Sequence, residues 1–390
     1  CTLLKGIKII DLTRVVAGPC CTRTLADLGA EVLKIEPPDG DLFRRGVPKV
    51  DDIPVMYTQQ NAGKRHLSID LSQERGQALL RELAAECDVI VENYRPGVAN
   101  RLGIGYEQIC EVKPDIVYCS ITGYGQDGPA AQRRAYAPII HAELGLVALN
   151  ARERETAPMP EAVSHADFAA GAQGVIGVLA AIVHRLRTGE GQHVDVSMAE
   201  TMLAVNEWSA VEVNGGLKGE ISPFKPGKAL ILQLKDDSWI QVPGNPASWI
   251  FRIADILGKT EELTQHNWHT PTDTEANMPE VKAVVQRWAL EGLLEEALDK
   301  ARMPVGQVAS LDNIINTDWA QARGAFVDVG PEGESVNIPK SPLRFSKAEV
   351  GPTQGARLRG ADNRTVLSEI LNLSEESLDE LEASGVLSKT

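Results

Sequence analysis

The chain has 390 residues, of which 43% are hydrophobic and 24% charged, a composition typical of soluble globular proteins. Because a single hydrophobic core stops growing at about 250–300 residues, this length predicts two domains. The formal net charge of −15 argues against nucleic acid or an anionic membrane as a partner, since both bind basic surfaces.

Signals for export, membrane insertion, disulfides and metals are not indicated by the sequence. No apolar run approaches the roughly 20 residues that cross a bilayer, and GIKIIDLT near the N-terminus lacks a signal-peptide core, so we expect a cytoplasmic protein. The six cysteines form no CxxC pair and the seven histidines have no ligand spacing. We therefore predict neither a disulfide framework nor a metal site.

Strands and helices alternate through the first third of the chain. GIKIIDL at 6–12 has the character of a buried strand, 18–29 that of a helix, and AEVLKIEPP at 30–38 that of a second strand ended by prolines. The pattern recurs, with helices predicted near 73–86 and 106–112 and strands at 87–93 and 115–123. A repeated βαβ pattern predicts an α/β fold with a Rossmann-like, doubly wound parallel sheet.

The middle of the chain changes character. Residues 168–187 are predicted to form a long, buried helix because they are apolar on nearly all sides. A strand at 192–198 and a helix at 199–213 follow, and the Gly-, Pro- and Lys-rich stretch 215–228 indicates a linker or mobile loop.

The last part of the chain indicates a smaller domain and a terminal helix. Residues 229–244 are typical of a hairpin around Asp236 and Asp237, and amphipathic helices continue to about 302. The segment 374–387 is predicted to contain a short helix with Gly385 as its stop.

The first βα turn tests for a bound dinucleotide. It reads DLTRVVAGPCC, without the GxGxxG that holds a pyrophosphate, so NAD or FAD binding is not favoured despite Glu36 at the end of the next strand. Basic residues lie near several predicted strand ends, and together they favour a phosphate-bearing ligand in one crevice, although each alone is typical of a solvated surface. They are Lys64, Arg65, Arg95, Arg101, Arg133 and Arg134.

Asp167 stands alone in SHADFAAGAQG, where a helix of small residues begins. An N-cap is one interpretation, because Asp accepts hydrogen bonds from the free N–H groups of a first helical turn. A catalytic carboxylate is the other, and both remain open on these residues alone.

A set of stretches in a fixed order resembles the class III coenzyme A transferases over about residues 5–345. The stretches are GIKIIDLTRVVAGPCCTRTLADLGAEVLKIEPPDGD, NAGKRHLSIDL, VENYRPGVANRLGIGY, ITGYGQDGP, HADFAAGAQGVIGVLAAIVHRLRTGEGQHVDVSMAET and MPVGQVASLDNIINTDWAQARG. The family includes formyl-CoA transferase, carnitine CoA-transferase and α-methylacyl-CoA racemase. The resemblance implies that an acyl-CoA donor and a carboxylic acid acceptor are the substrates, with no permanently bound cofactor.

The resemblance assigns Asp167 to the position of the family's catalytic aspartate. In the transferases this carboxylate attacks the thioester, giving an acyl-aspartyl anhydride and then an aspartyl-CoA thioester that the acceptor acid opens. A carboxylate suits this exchange because its acyl adduct is about as reactive as the substrate, so that each step stays reversible. Exclusion of water protects the anhydride.

The same resemblance implies a CoA-binding set, in which Arg101 and Arg134 are the candidates for phosphate pairing. The set comprises Val16, Ala17, Ile69, Asp70, Leu71, Ser72, Asn93, Tyr94, Arg95, Arg101, Arg134, Ala135, Tyr136 and Ala137. Val16, Pro37 and Ala137 differ from the Gln, Arg and Glu of formyl-CoA transferase. Formate and oxalate are therefore not expected as substrates.

Two alternatives to a transferase remain. A racemase needs a second acid/base group beside the Asp, and the aligned position holds Tyr136, a poor base at neutral pH, although His141 or His165 could supply one. A noncatalytic CoA-binding protein would be expected to lack the acid, which is present at Asp167.

The resemblance also implies an interlocked homodimer and a division of the chain. A large CoA-binding domain would comprise 1–200 and 325–390, a linker 201–227, and a small domain 228–324. NGGLKG at 214–219 is either the family's glycine-rich active-site lid or part of this linker.

Overall fold

The computed structural model describes residues 3–216, 218 and 229–390; the rest of the predicted linker and of NGGLKG lies outside the described residues. The chain forms two compact units. The large unit comprises Cys1–Gly145, Pro160–Asn206 and Thr317–Thr390, and the small unit Leu146–Met159 and Glu207–Asn316. The domain boundaries inferred from the sequence stay a prediction.

The described residues contain thirteen β-strands. In chain order they are β1 (Lys8–Asp11), β2 (Glu31–Glu36), β3 (Lys49–Val50), β4 (Ile53–Pro54), β5 (Arg65–Ser68), β6 (Val89–Glu92), β7 (Val117–Thr122), β8 (Gln192–Ser197), β9 (Leu230–Gln233), β10 (Trp239–Val242), β11 (Gly306–Gln307), β12 (Phe326–Asp328) and β13 (Asn337–Pro339).

Most helices are short, and α8 is the longest in the described part of the chain. The α-helices are α1 (Ala17–Asp27), α2 (Val55–Asn61), α3 (Glu74–Ala85), α4 (Val98–Arg101), α5 (Tyr106–Cys110), α6 (Ala137–Glu143), α7 (Leu146–Arg154), α8 (His165–Thr188), α9 (Met198–Val205), α10 (Ser209–Val213), α11 (Pro246–Leu257), α12 (Thr260–Gln265), α13 (Pro271–Ala276), α14 (Met278–Leu290), α15 (Leu294–Lys300), α16 (Asp318–Arg323), α17 (Asn363–Leu371) and α18 (Glu375–Ala383). Single 3-10 helices span Leu42–Arg45 and Leu311–Asn316.

A six-stranded, wholly parallel sheet in the order β5-β2-β1-β6-β7-β8 organises the large unit. The α/β prediction is confirmed in this respect. The chain runs from β1 to β2 in one direction along the sheet and continues from β6 to β8 in the other. The order therefore reverses between β1 and β6, and in open α/β sheets ligands bind beside the carboxyl ends of strands at such a switch point.

Buried apolar strands explain why this sheet is readable from the sequence. Val89, Ile90 and Val91 of β6 are inaccessible to solvent, as the continuous apolar run CDVIVEN predicts for a strand covered on both faces. On one side the core includes Leu79 and Leu83 of α3, and residues of α17 and α18 join the same cluster.

The strand β5 was missed because its sequence is polar. His66 and Ser68 are fully buried there, and distant partners satisfy their backbone: the N–H of His66 donates to Asp362 at 2.8 Å, and that of Ser68 to Asn363 at 2.9 Å. The single helix predicted at 199–213 is also wrong, because the chain leaves helical geometry at Asn206 between α9 and α10.

The prediction that α8 is buried on all sides is wrong. One face packs on α1, β7 and β8, whereas Phe168, Ile176, Val183 and Leu186 on the other face are between 37% and 75% exposed. The expectation that no segment could cross a membrane also needs correction, since α8 is long and apolar enough by length and composition. A core helix of a globular protein meets the same criterion, and half of its most apolar stretch is buried in the fold.

The small unit has its own core. β9 and β10 form the predicted hairpin, with Asp237 in the left-handed region at its turn (φ 66°), and β11 adds a third antiparallel strand. The fully buried Trp268 and Trp288 pack in this core with residues of α11, α14 and α15.

Candidate active site

A cavity of about 400 Å³ lies at the carboxyl ends of β1, β6 and β7, at the switch point of the large sheet. Four arginines and one carboxylate, that of Asp167, are its charged side chains. Its lining comprises Arg14, Val15, Ala17, Asn93, Tyr94, Arg95, Pro96, Ile121, Thr122, Gly123, Ala131, Arg133, Arg134, Ala135, Tyr136, Asp167 and Met198.

Asp167 lies in the first turn of α8 and accepts hydrogen bonds from two other helix starts. The backbone N–H of Ala17, the first residue of α1, and that of Ala137, the first residue of α6, both donate to its carboxylate. These N–H groups have no acceptor within their own helices, and the carboxylate of Asp167 provides one. The first turns of three helices thus meet at one acid.

This geometry corrects the N-cap interpretation. The N-cap of α8 is Ser164, and Asp167 lies two residues beyond the first residue of the helix. Asp167 supplies the missing acceptor to α1 and α6 instead, whose own N-cap side chains accept no such bond.

Burial dominates the electrostatics of Asp167. Its side chain is nearly inaccessible, which raises its pKa to about 6, while the N–H groups of Ala137 and Ala17 act in the opposite direction. No Lys or Arg of the described chain forms an ion pair with it. A buried carboxylate without a counter-ion in a cavity is typical of a functional group.

Close helix packing brings Asp167 to Ala17. A Cβ on Gly171, one turn after Asp167, would lie 2.7 Å from the carbonyl oxygen of Ala17, and one on Gly174 would lie 3.0 Å from the Sγ of Cys21. Only glycine allows α8 to approach α1 so closely. The small residues of this helix therefore serve to position its acid.

The turn between β1 and α1 is held in a strained conformation. Val15 has φ 67°, a region that β-branched residues rarely adopt. The carboxylate of Asp41 accepts the N–H of Val15 at 3.1 Å, and the amide of Asn93 brackets Arg14, accepting its N–H at 2.8 Å and donating to its carbonyl at 2.9 Å. Such strain persists only where the surroundings fix the conformation.

Buried charges lie beneath this turn. Lys64 donates to Asp11 at 2.9 Å, and Lys34 donates to the carbonyl of Thr13 and lies 3.5 Å from Asp41. Burial alone would raise the pKa of Asp11, but Lys34 and Lys64 together hold it well below its usual range. Burial lowers the pKa of Lys64 to about 8.

The two histidines near Asp167 differ in environment. His141 is buried, its Nε2 accepts the N–H of Ala166 at 3.1 Å, and burial lowers its pKa. His165 is exposed, with its ring centroid 5.8 Å from that of His141. Since the Nε2 lone pair of His141 is occupied, its other ring nitrogen carries the proton, and the neutral ring has no free basic nitrogen.

The structure brings together only part of the set predicted for CoA. Ala17, Asn93, Tyr94, Arg95, Arg134, Ala135 and Tyr136 line the cavity with Asp167, and Ala137 contacts Asp167 through its N–H. Outside the lining are Val16, Ile69, Asp70, Leu71, Ser72 and Arg101.

Several of the residues outside the lining have other contacts. Ile69 pairs with Leu387 near the C-terminus, and Asp70 accepts hydrogen bonds from Ser72. Arg101, the last residue of α4, is exposed.

Sequence reasoning did not select Arg14, Val15 or Met198 as site residues. Arg14 and Val15 lie in the turn after β1 and Met198 directly follows β8, positions at the carboxyl edge of the parallel sheet that favour ligand contact and could have identified them. For a metal, the described residues offer no group of three or more His, Cys, Asp or Glu side chains.

Comparison with known proteins agrees with this fold. A family model described as CoA-transferase family III matches residues 4–363. The chain is 30% identical to the human succinyl-CoA:glutarate CoA-transferase, covering 98% of this chain and 90% of that protein, and 31% identical to formyl-CoA:oxalate CoA-transferase of Streptomyces coelicolor, covering 98% and 99%. A crystal structure of a CAIB/BAIF family protein from Brucella suis superposes with a TM-score of 0.81 at 28% identity, covering 95% and 99% of the two chains. The chain therefore belongs to CoA-transferase family III and is a CoA-transferase.

Proposed function

We propose that this enzyme moves CoA between carboxylic acids through a covalent intermediate on Asp167. The observation that carries the proposal is a buried carboxylate without a counter-ion, in a cavity lined by arginines, at the meeting point of three helix starts. Asp167 attacks the donor thioester, the C–S bond breaks, and CoA leaves as a thiolate. The thiolate then attacks the aspartyl carbonyl of the anhydride and releases the donor acid, and the acceptor carboxylate opens the aspartyl-CoA thioester in the same two steps reversed.

The N–H groups around Asp167 suit both states of this cycle. Those of Ala17 and Ala137 hold the carboxylate when it is free, and the same donors stabilise negative charge on oxygen as a tetrahedral adduct forms. Backbone donors carry no transferable proton, so they stabilise charge without quenching the nucleophile.

CoA binds, in this proposal, along the carboxyl edge of the large sheet. The exposed arginines Arg95 and Arg134 at the cavity pair with its phosphates, because the guanidinium fork matches phosphate oxygens. Ile69–Ser72 follow β5 at the same edge and, with Arg101, would contact the part of CoA that extends beyond the cavity.

A trapping experiment tests the covalent step. The enzyme is incubated with acyl-CoA and then with hydroxylamine or borohydride, and the peptides are analysed by mass spectrometry. We expect the modification on the peptide that holds Asp167 and none in the Asp167→Asn variant. A fully active Asp167→Asn variant, or a label elsewhere, would overturn the proposal.

The racemase alternative lacks a second base in the described cavity, since neither His141 nor His165 lines it. The Nε2 of His141 already accepts a hydrogen bond from the N–H of Ala166, and the side chain of Tyr136 is 57% exposed. The relatives reported above also carry transferase names. Solvent deuterium entering the α-carbon of a 2-methylacyl-CoA without any acceptor acid would instead support a racemase.

We further propose a homodimer in the cytoplasm. The exposed apolar face of α8, with Phe168, Ile176 and Val183, is a surface that a second copy can cover. The five described cysteines are free thiols, as expected in a reducing compartment. Sedimentation velocity of wild type and Ile176→Asp tests the dimer: we expect the variant alone to dissociate, and a monomeric wild type would refute it.

A further inference from the structure

The guanidinium of Arg14 is a charged group of the cavity that the proposed reaction does not use. Its Nε is buried without a hydrogen-bond partner, and its side chain interacts with Tyr94, whose ring centroid lies 5.5 Å from the guanidinium carbon. Burial raises the pKa of Tyr94 to about 12, so this partner is a neutral phenol. Arg14 has no carboxylate partner in the described part of the chain.

The other three arginines of the cavity lie in different surroundings. Arg95, Arg133 and Arg134 are exposed, whereas Arg14 is half-buried. Arg133 already forms an ion pair with Glu143 and lies over the ring of Tyr124. Arg14 is therefore the inner cation of the cavity, and the others lie nearer to solvent.

The backbone of Arg14 is fixed close to the reacting carboxylate. Asn93 holds both its N–H and its carbonyl, and Asp41 holds the next N–H, that of Val15. Arg14 precedes Ala17 by three residues, so its Cα lies within about 10 Å of the N–H that donates to Asp167. Arg14 and Asp167 also line the same cavity of about 400 Å³, so a ligand bound there can contact both side chains.

We propose that Arg14 binds the distal carboxylate of a dicarboxylic acid while the proximal carboxylate reacts at Asp167. This inference rests on the proposed function and names its substrate class as short dicarboxylic acids and their mono-CoA thioesters. The guanidinium of Arg14 has no counter-ion, and its Nε–H is buried without an acceptor. A carboxylate would supply both the negative charge and the acceptors, because it can accept two parallel hydrogen bonds from a guanidinium. Monocarboxylic acids leave that group unpaired and are bound more weakly.

The test compares dicarboxylic with monocarboxylic substrates in Arg14→Met, which removes the charge from an unbranched side chain. Acceptors are malonate, succinate, glutarate and adipate against butyrate and valerate, and donors are succinyl-CoA against acetyl-CoA. Arg133→Met is the matched control, since this arginine of the same cavity is paired with Glu143.

In wild type we expect the diacids to be preferred. Arg14→Met should raise KM for the best diacid and for succinyl-CoA by about tenfold or more, with KM for acetyl-CoA and for the monoacids within about twofold. Arg14→Lys should recover part of the loss, and Arg133→Met should leave the preference unchanged. Calorimetric affinity for free CoA should be the same in wild type and Arg14→Met.

Three results would overturn the inference. They are a wild type without a preference for diacids, an equal loss for both acid classes in Arg14→Met, and a loss of free-CoA affinity in that variant, which would assign Arg14 to a CoA phosphate. A wild type that transfers CoA to no acid would refute the proposed function instead. Calorimetric binding of the diacids to wild type and Arg14→Met then still decides the role of Arg14, and equal binding would refute it.

Discussion

Replacing Asp167 by Asn should abolish turnover and at the same time stabilise the folded protein near neutral pH. The pKa of Asp167 rises from 3.8 to about 6 on folding because the carboxylate is buried without a cation. The folded state therefore binds more protons than the unfolded state between these two values, and stability is lost as the pH rises through that window. An uncharged Asn avoids this loss.

The magnitude follows from the size of the shift. A pKa difference of about two units corresponds to about 3 kcal/mol at pH 7.5 and to about 1.5 kcal/mol at pH 5, where the native carboxyl is mostly protonated. The side-chain oxygen of the introduced Asn can still accept hydrogen bonds from the N–H groups of Ala17 and Ala137. Its NH₂ group needs acceptors that the carboxylate did not need, and this requirement offsets part of the gain in stability. We expect a net gain of about 1–3 kcal/mol at pH 7.5.

Calorimetric melting of wild type and Asp167→Asn at both pH values measures this effect. For a domain of about 250 residues, a gain of 1–3 kcal/mol corresponds to a rise in Tm of about 2–6 °C at pH 7.5, falling to about half at pH 5. Asp127→Asn, at an exposed position of the same unit, is the control and should change Tm by less than about 1 °C. A lower Tm in Asp167→Asn, or a gain that does not depend on pH, would refute the electrostatic reasoning.

Three further predictions concern pH, CoA affinity and stability. As the nucleophile, Asp167 must be ionised, so kcat/KM should rise with pH up to about 6 and then level, and a flat profile down to pH 5 would contradict this. Arg134→Ala should raise the calorimetric Kd for CoA about tenfold, whereas Arg133→Ala, at a residue already paired with Glu143, should change it about twofold at most; equal effects would argue against the assignment. Lys64→Met should cost about 3–5 kcal/mol because it leaves Asp11 buried with a weaker ion pair, and a Tm shift of under about 2 °C would contradict that cost.

The strands of the parallel sheet were predictable where their buried residues are apolar. β1, β6 and β7 are largely apolar runs, β2 and β8 carry apolar residues between polar ones, and all five occur near their predicted positions. β5 was not predictable in this way, because its buried His66 and Ser68 depend on partners almost 300 residues away, Asp362 and Asn363. Local pattern carries no information about such compensation.

The exposed face of α8 was unpredictable for a related reason. Ile176 and Val183 are apolar, and a single sequence cannot show whether the fold of one chain or another surface covers them. The apolar pattern of α8 predicts that the helix is buried, but the topology of the large unit determines which of its faces is packed within this chain.

At the candidate site, the sequence suffices to select an acid that lies in the cavity, whereas it does not specify the surroundings of that acid. Asp167 was selected from its position in the resemblance, and Arg134 and Asn93 line the same cavity. Its hydrogen-bond donors are the backbone N–H groups of Ala17 and Ala137, whose side chains carry no polar group. They contribute only because the fold brings the first turns of α1 and α6 to the first turn of α8.

The same arrangement accounts for both the cost and the proposed use of Asp167. A lysine or arginine in contact would lower its pKa and stabilise the fold, but it would also stabilise the free carboxylate more than the neutral anhydride and thioester, and so oppose their formation. Two backbone N–H groups provide weaker, distributed positive charge that can serve the carboxylate, and then an adjacent oxyanion, without moving. Cations of the cavity are instead placed where charge is permanent in the proposed reaction: Arg14 for a distal carboxylate and Arg95 and Arg134 for phosphates. A site that keeps its full charges away from the reacting acid gives up stability there and keeps the exchange nearly balanced in both directions.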